Sequence, residues 1–97
     1  MFDKMKELME MKKQAEQLKR ELDASTIEVT EVRGIRLVVN GSQDFQILEI
    51  DPTLLNPENK KRFEADLLRT LNSAMKKSRN VAAQKMKSMT GLNIPGL

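Results

Sequence analysis

The spacing of apolar residues predicts a helix over residues 3–23. One apolar seam runs along it at alternating intervals of three and four residues: Leu8, Met11, Ala15, Leu18 and Leu22. This is the spacing of a helix that packs along a single stripe, with lysine and glutamate alternating around it. Because the seam covers fewer than three full heptads, it needs another apolar surface to pack against.

The pattern then changes to the two-residue alternation that is typical of β-strands. Residues 26–32 alternate and are rich in β-branched side chains, and residues 35–39 and 45–50 form two further apolar runs. Arg33-Gly34 predicts a tight turn between the first two strands, and Asn40-Gly41 predicts a hairpin before the third. These short connections predict a three-stranded antiparallel meander.

Both faces of the predicted sheet carry apolar side chains. The second strand places Leu37 and Val39 on one face and Val38 on the other, and the third strand also divides its apolar residues between two faces. A sheet that is apolar on both faces needs cover on both. The two helices can cover one face, so we expect a second copy of the chain to cover the other.

A second, longer helix is predicted over residues 57–89. Asp51-Pro52 and Asn56-Pro57 are both a capping residue followed by proline, and the second of these opens the helix. Residues 91–97, which begin with a glycine, are expected to be a flexible tail. The 97-residue chain is therefore predicted to be one α+β domain consisting of a helix, a three-stranded antiparallel sheet and a long helix.

The long helix has two different sides. At ~100° per residue, Leu67 and Leu71 fall with Ala74, Met75 and other apolar residues on one side. Six residues are the candidates for the core and the dimer interface: Leu37, Val39, Phe45, Ile47, Leu67 and Leu71.

The other side of the long helix is basic. Residues 67–97 contain six basic side chains and no acidic one: Arg69, Lys76, Lys77, Arg79, Lys85 and Lys87. A charged helix face is ordinarily just a solvated face, but such faces usually mix charges of both signs. A stripe of one sign is also the electrostatic pattern that binds a phosphate backbone. These six residues are the candidate DNA-binding residues.

Lys85 lies close to the apolar side of the helix projection. Either the helix has left the body of the protein by that residue, or the aliphatic stem carries the ammonium group out to solvent. We favour the first interpretation, which makes the last turns of the helix a projecting arm.

The composition argues against an enzyme. The chain has no His, Cys, Trp or Tyr, which excludes catalysis by Cys–His or Ser–His pairs and a metal held by His or Cys. We therefore predict no catalytic residue, no metal, no cofactor and no small-molecule substrate. Neither a signal peptide nor a membrane span is predicted, because no long apolar run is present. With three phenylalanines as its only aromatic residues, the chain has little with which to stack unpaired bases.

The segments Leu37-Val38-Val39-Asn40-Gly41 and Ile47-Leu48-Glu49-Ile50-Asp51-Pro52-Thr53-Leu54-Leu55 resemble the YbaB/EbfC family of bacterial nucleoid-associated proteins. The resemblance extends to the order of elements along the whole chain. It implies an intertwined homodimer with projecting helices that bind duplex DNA in the cytoplasmic nucleoid and influence nucleoid organisation and gene expression. Two features depart from the family pattern: the turn at Arg33-Gly34 is short, and the chain is basic, with a pI of about 9.3.

A different class of function stays open at this point. The heptad seam and the methionine-rich helices could dock a protein partner, with the basic face serving only solubility. In that case the chain is an accessory or scaffold dimer rather than a DNA-binding protein.

Overall fold

The computed structural model describes residues 2–90. The elements in chain order are α1 (Phe2–Ala24), β1 (Thr26–Val29), β2 (Ile35–Asn40), β3 (Phe45–Ile50), two 3₁₀ turns (Pro52–Leu54 and Pro57–Asn59) and α2 (Lys60–Thr90). The strands form one antiparallel sheet in the order β1-β2-β3. The predicted α+β architecture is confirmed. The predicted tail, residues 91–97, lies outside the described residues.

The β1–β2 connection departs from the prediction, since β1 ends at Val29 and not at residue 32. The Glu31 carboxylate accepts hydrogen bonds from α2, and the amide of Ile35 donates to the carbonyl of Val32 at 3.1 Å, which closes a turn. Residues 30–34 thus cross from the sheet towards α2 instead of extending the ladder. Gly34 has a φ of +94°, and a Cβ there would lie 2.8 Å from Leu54 Cδ1.

The hairpin that Asn40-Gly41 predicted between β2 and β3 is confirmed. Four residues, 41–44, join the strands, and the residue with positive φ is Gln43, at 66°. The Asn40 side chain holds this loop by accepting from the amides of Ser42 and Asp44 at 3.0 and 2.9 Å.

Gly41 packs closely against the C-terminal end of α1. A Cβ at this position would lie 3.0 Å from Leu22 Cδ2 and 3.1 Å from the carbonyl oxygen of Leu22. The amide of Gly41 donates to the carbonyls of Leu22 and Ser25, both at 3.0 Å. The loop is thereby docked on the C-terminal end of α1.

Both predicted caps are confirmed. The Asp51 carboxylate accepts from the amide and the hydroxyl of Thr53 at 2.9 and 2.8 Å, and these bonds lower the pKa of Asp51. The Asn56 side chain accepts from the amide of Asn59 at 2.8 Å. The α-helix itself begins three residues later than predicted, at Lys60, because the residues after Asn56 first form a 3₁₀ turn.

The core lies between α2 and one face of the sheet. Val29, Leu37 and Val39 are fully buried there against Ala74 of α2. Burying a Val or Leu side chain contributes about 1.5–3 kcal/mol each. The end of β2 is also fixed to α2 by a buried hydrogen bond of 2.7 Å, which the Ser78 hydroxyl donates to the carbonyl of Asn40.

The six residues predicted for the core or the dimer interface fall into three groups. Leu37 and Val39 are buried, and Leu67 and Leu71 of α2 are partly buried. Phe45 and Ile47 of β3 are exposed, as is Leu48. α2 lies across β1 and β2, so β3 extends beyond the cover that the helix provides.

α1 packs against α2 and is tied to the sheet at its C-terminal end. The side-chain amide of Asn40 donates to the backbone carbonyl of Asp23 at 3.3 Å, and the Ser42 hydroxyl donates to the Asp23 carboxylate. Nearer its N-terminus the apolar seam is uncovered, since Leu8 and Met11 are 65% and 64% exposed. Within one protomer, other apolar side chains therefore cover only part of this seam.

Candidate nucleic-acid interface

The outer face of α2 carries basic side chains without acidic partners. Lys76, Arg79 and Lys87 are exposed, and none of them forms an ion pair within residues 2–90. Lys76 and Lys87 lie within ~20° of one another around the helix axis, with Arg79 beside them at ~60–80°. This side of the helix is opposite the buried residues Ala74 and Ser78. We call Arg69, Lys76, Arg79 and Lys87 the basic stripe.

Arg69 forms an ion pair with an acidic neighbour. Its guanidinium lies 3.3 Å from the Asp66 carboxylate, one helical turn earlier. The Arg69 side chain nevertheless remains 67% exposed, whereas that of Asp66 is 24% exposed. A second anion can therefore still approach the guanidinium from the solvent side.

The structure places Lys77 away from the basic stripe. Its ammonium lies 3.0 Å from the Glu31 carboxylate, which also accepts a 2.6 Å hydrogen bond from the Ser73 hydroxyl. The hydrogen bonds from Ser73 and Lys77 lower the pKa of Glu31 below its ordinary value. Lys77 thus helps to fasten the β1–β2 loop to α2.

Lys85 is partly buried, on the same side of α2 as the partly buried Ala82 and Met89. It forms no ion pair with another described residue. Lys85 is thus set apart from the exposed cations of the basic stripe, and its contact with DNA stays a prediction.

Sequence reasoning missed two arginines next to the basic stripe. Arg62 lies seven residues before Arg69 and its side chain is 84% exposed, with the Asp66 carboxylate 3.9 Å away. Arg33, in the β1–β2 loop, is exposed and lines the same cleft as Arg62 and Arg69. The seven-residue repeat of basic residues was a signal for Arg62, but the position of the loop was not readable from the sequence.

The arrangement suits binding of anions. Guanidinium and ammonium groups on an exposed helix face form charge-assisted hydrogen bonds with phosphate oxygens. Across residues 2–90, no group of three or more acidic side chains is placed to hold a metal ion. Neither of the two described helices has an apolar stretch sufficient to cross a membrane.

A separate surface on α1 is apolar. Met5, Leu8, Met9 and Met11 are all more than three-fifths exposed. They lie in the N-terminal half of α1, beyond the part that is tied to the sheet. This surface is where the alternative function, docking of a protein partner, would act.

Comparison with known proteins gives a match over both helices and the sheet. Residues 1–93 match the model of the YbaB/EbfC DNA-binding family. The chain is similar to a nucleoid-associated protein of Pelotomaculum thermopropionicum, with 35% identity over 95 residues that cover 96% of this chain and 90% of the relative. A nucleoid-associated protein of Clostridium kluyveri is 34% identical over 96% and 83% of the two chains. One of Akkermansia muciniphila is 34% identical over 91% and 93%.

Proposed function

The chain belongs to the YbaB/EbfC DNA-binding family, and from that premise we propose that it is a non-enzymatic, nucleoid-associated protein that binds the phosphate backbone of duplex DNA. It acts in the cytoplasm, on the nucleoid, and influences nucleoid organisation and gene expression. The binding residues are those of the basic stripe together with Lys85, and Lys77 contributes less because Glu31 already balances its charge.

The observation that carries this proposal is the set of unpaired cations on α2. Lys76, Arg79 and Lys87 are exposed on one side of a helix and have no acidic partner among residues 2–90. A cation whose charge is already balanced contributes little to binding a polyanion, whereas an unpaired one gains by displacing counterions from the phosphates. Backbone binding of this kind reads no base sequence.

Duplex DNA is favoured over single strands because aromatic platforms are scarce. The chain has no Trp or Tyr, and Phe63 is partly buried. Proteins that hold single strands stack the bases on exposed aromatic rings, each worth about 1–3 kcal/mol. We expect a duplex of random sequence, about 20 base pairs long, to bind at least about 10-fold more tightly than either of its strands alone. Fluorescence anisotropy at matched salt measures this ratio, and tighter binding of the single strands would contradict the proposal.

We further propose that two copies of the chain associate through β3. Phe45, Ile47 and Leu48 are 48%, 40% and 51% exposed, which makes β3 the apolar edge of the sheet. Leu48 pairs with Leu37 and Ile47 pairs with Val38, so apolar side chains of β3 lie on both faces of the sheet. A surface of this kind is buried favourably against its own copy across a two-fold axis. The dimer then presents two copies of the basic stripe.

A charged residue on β3 is expected to separate the dimer. Leu48→Glu would bury a carboxylate in the proposed interface, and light scattering after size exclusion should give a mass near the chain mass of 11.1 kDa. Gln46→Glu adds the same charge at a position that is already polar, and it should retain the dimer. A wild-type protein that is monomeric at micromolar concentration, or a Leu48→Glu variant that dimerises like the wild type, would contradict the placement of this interface.

A protein-docking accessory is the second candidate function, and the exposed apolar surface of α1 favours it. Met5, Met9 and Met11 offer the adaptable side chains that are common at surfaces that bind peptides. Under this alternative, the purified protein would bind DNA no better at low salt than at high salt. A defined protein partner that is retained after nuclease treatment and lost in a Leu8→Glu variant would support it.

A further inference from the structure

The row of basic residues along α2 extends beyond the stripe described above. Arg62, Arg69 and Lys76 are each separated by seven residues. Seven residues of α-helix turn through ~700°, so successive members differ by only ~20° around the axis and by ~10.5 Å along it. From Arg62 to Lys87 the row spans ~37 Å, which is about one helical turn of B-DNA.

At its N-terminal end this row meets the β1–β2 loop. Arg33 of that loop lines a cleft of about 580 Å³ together with Arg62 and Arg69, and Asn56 and Asn59 line it as well. Three arginines from two different elements therefore line one open cleft. Guanidinium groups bind phosphate oxygens through paired hydrogen bonds.

The acidic side chains at the cleft determine how much of the positive charge of the three arginines is left to bind an anion. The Glu31 carboxylate is occupied by Ser73 and Lys77. The Asp66 carboxylate is shielded and lies between Arg62 and Arg69, at 3.9 and 3.3 Å. Glu58, which also lines the cleft, remains open to solvent. Lys77 balances Glu31, so three arginines line the cleft with two further acidic residues, Asp66 and Glu58. Outside the cleft, the pKa of the Asp51 carboxyl group is lowered by the hydrogen bonds from Thr53 and also by the charge of Arg33.

We propose that the DNA-contacting surface continues past Arg69 into this cleft, where Arg62 and Arg33 bind phosphates of the same duplex that lies along α2. This inference rests on the proposed function. The ligand is the sugar–phosphate backbone rather than a small anion, because the cleft is open and continuous with the row on α2. The body of each protomer, and not only the exposed length of α2, then contacts DNA.

The test compares single substitutions that remove one positive charge each. Arg62→Ala and Arg33→Ala are expected to lower the affinity for a random duplex of about 20 base pairs by about 5–10-fold at ~0.1 M salt. Each should also reduce the slope of log affinity against log salt by about 0.9 for every phosphate that the variant no longer binds. Lys60→Ala is the matched control, since Lys60 lies two residues from Arg62 on the opposite side of α2 and pairs with Glu64 at 2.9 Å.

The outcomes separate this inference from the proposed function. If Lys76→Ala weakens binding while Arg62→Ala and Arg33→Ala bind like Lys60→Ala, the cleft is not part of the DNA surface, and the proposed function stands. If wild-type protein does not bind the duplex at any salt concentration, both fail. Circular dichroism of each variant shows whether the fold is retained, and each exposed arginine can be truncated with little effect on it.

Discussion

Reversing three charges on the basic stripe is expected to abolish most of the DNA binding and to leave the fold intact. The variant Lys76→Glu, Arg79→Glu and Lys87→Glu should bind a random duplex at least about 100-fold more weakly than wild type at ~0.1 M salt. Each substitution removes a cation that has no acidic partner among residues 2–90 and adds a negative charge facing the phosphates. A homodimer carries every substitution twice, which enlarges the effect. Anisotropy titration measures the affinity.

The control for this variant is a charge reversal elsewhere on the same helix. Lys60→Glu and Lys76→Glu change the net charge equally, but Lys60 is paired with Glu64 and lies away from the stripe. The Lys60→Glu variant should bind the duplex nearly as tightly as wild type, and the Lys76→Glu variant should bind it clearly more weakly. Exposed substitutions usually change stability by less than about 0.5 kcal/mol, and the reversal at Lys87, in the last turn of α2, by up to about 1 kcal/mol. Equal decreases in affinity at residues 60 and 76 would count against the stripe as the binding site.

Truncating Leu37 is expected to be the most destabilising single change in the sheet. Leu37 is 1% exposed and lies on the central strand, with Val29 and Leu48 beside it and α2 above it. Leu37→Ala leaves a cavity that the surrounding elements cannot fill, at a cost of about 2–5 kcal/mol in the free energy of unfolding. For a domain of this size, that is a large part of the total stability. Urea denaturation followed by circular dichroism measures it.

The matched comparison is Leu55→Ala, the same substitution at a residue that is 59% exposed. It should cost less than about 1 kcal/mol, because little apolar surface is buried there. Both variants are measured at one protein concentration, since association of two copies would make stability depend on concentration. Equal destabilisation at the two positions would mean that the core does not lie where Leu37 is buried.

Features that are coded locally could be predicted from the sequence. The apolar period of three and four residues predicted α1, and the β-branched alternation predicted the strands. The caps at Asp51 and Asn56 were predicted because a capping side chain acts within three residues of itself. The family resemblance over Leu37–Leu55 is confirmed by the match over residues 1–93.

The structural details that could not be predicted depend on interactions between residues that are far apart in the sequence. β1 ends early because Glu31 reaches Ser73, 42 residues away. Gly41 packs closely against Leu22 of α1. Neither interaction is visible in the local sequence pattern, which therefore assigned residues 30–32 to the first strand and did not show the packing at Gly41.

The candidate site likewise combines features that the local sequence shows with features that depend on long-range contacts. Charge counting along residues 67–97 found all four members of the basic stripe, but it also grouped Lys77 with them. Only the folded chain shows that the ammonium of Lys77 is taken by Glu31. Conversely, Arg62 was left out because the segment without acidic residues begins only after Asp66, although the Arg62 side chain is exposed on the same face of α2 as Arg69.

Binding of the DNA backbone through the basic stripe predicts that affinity falls steeply with salt, and the salt dependence of binding tests this claim. We would titrate a random-sequence duplex with wild-type protein at several salt concentrations between ~0.05 and ~0.3 M. If roughly half of the twelve basic groups from residues 67–97 of the two protomers reach phosphates, log affinity falls linearly against log salt with a slope of about −5. An affinity that does not change with salt, or the absence of binding at the lowest salt, would contradict the claim.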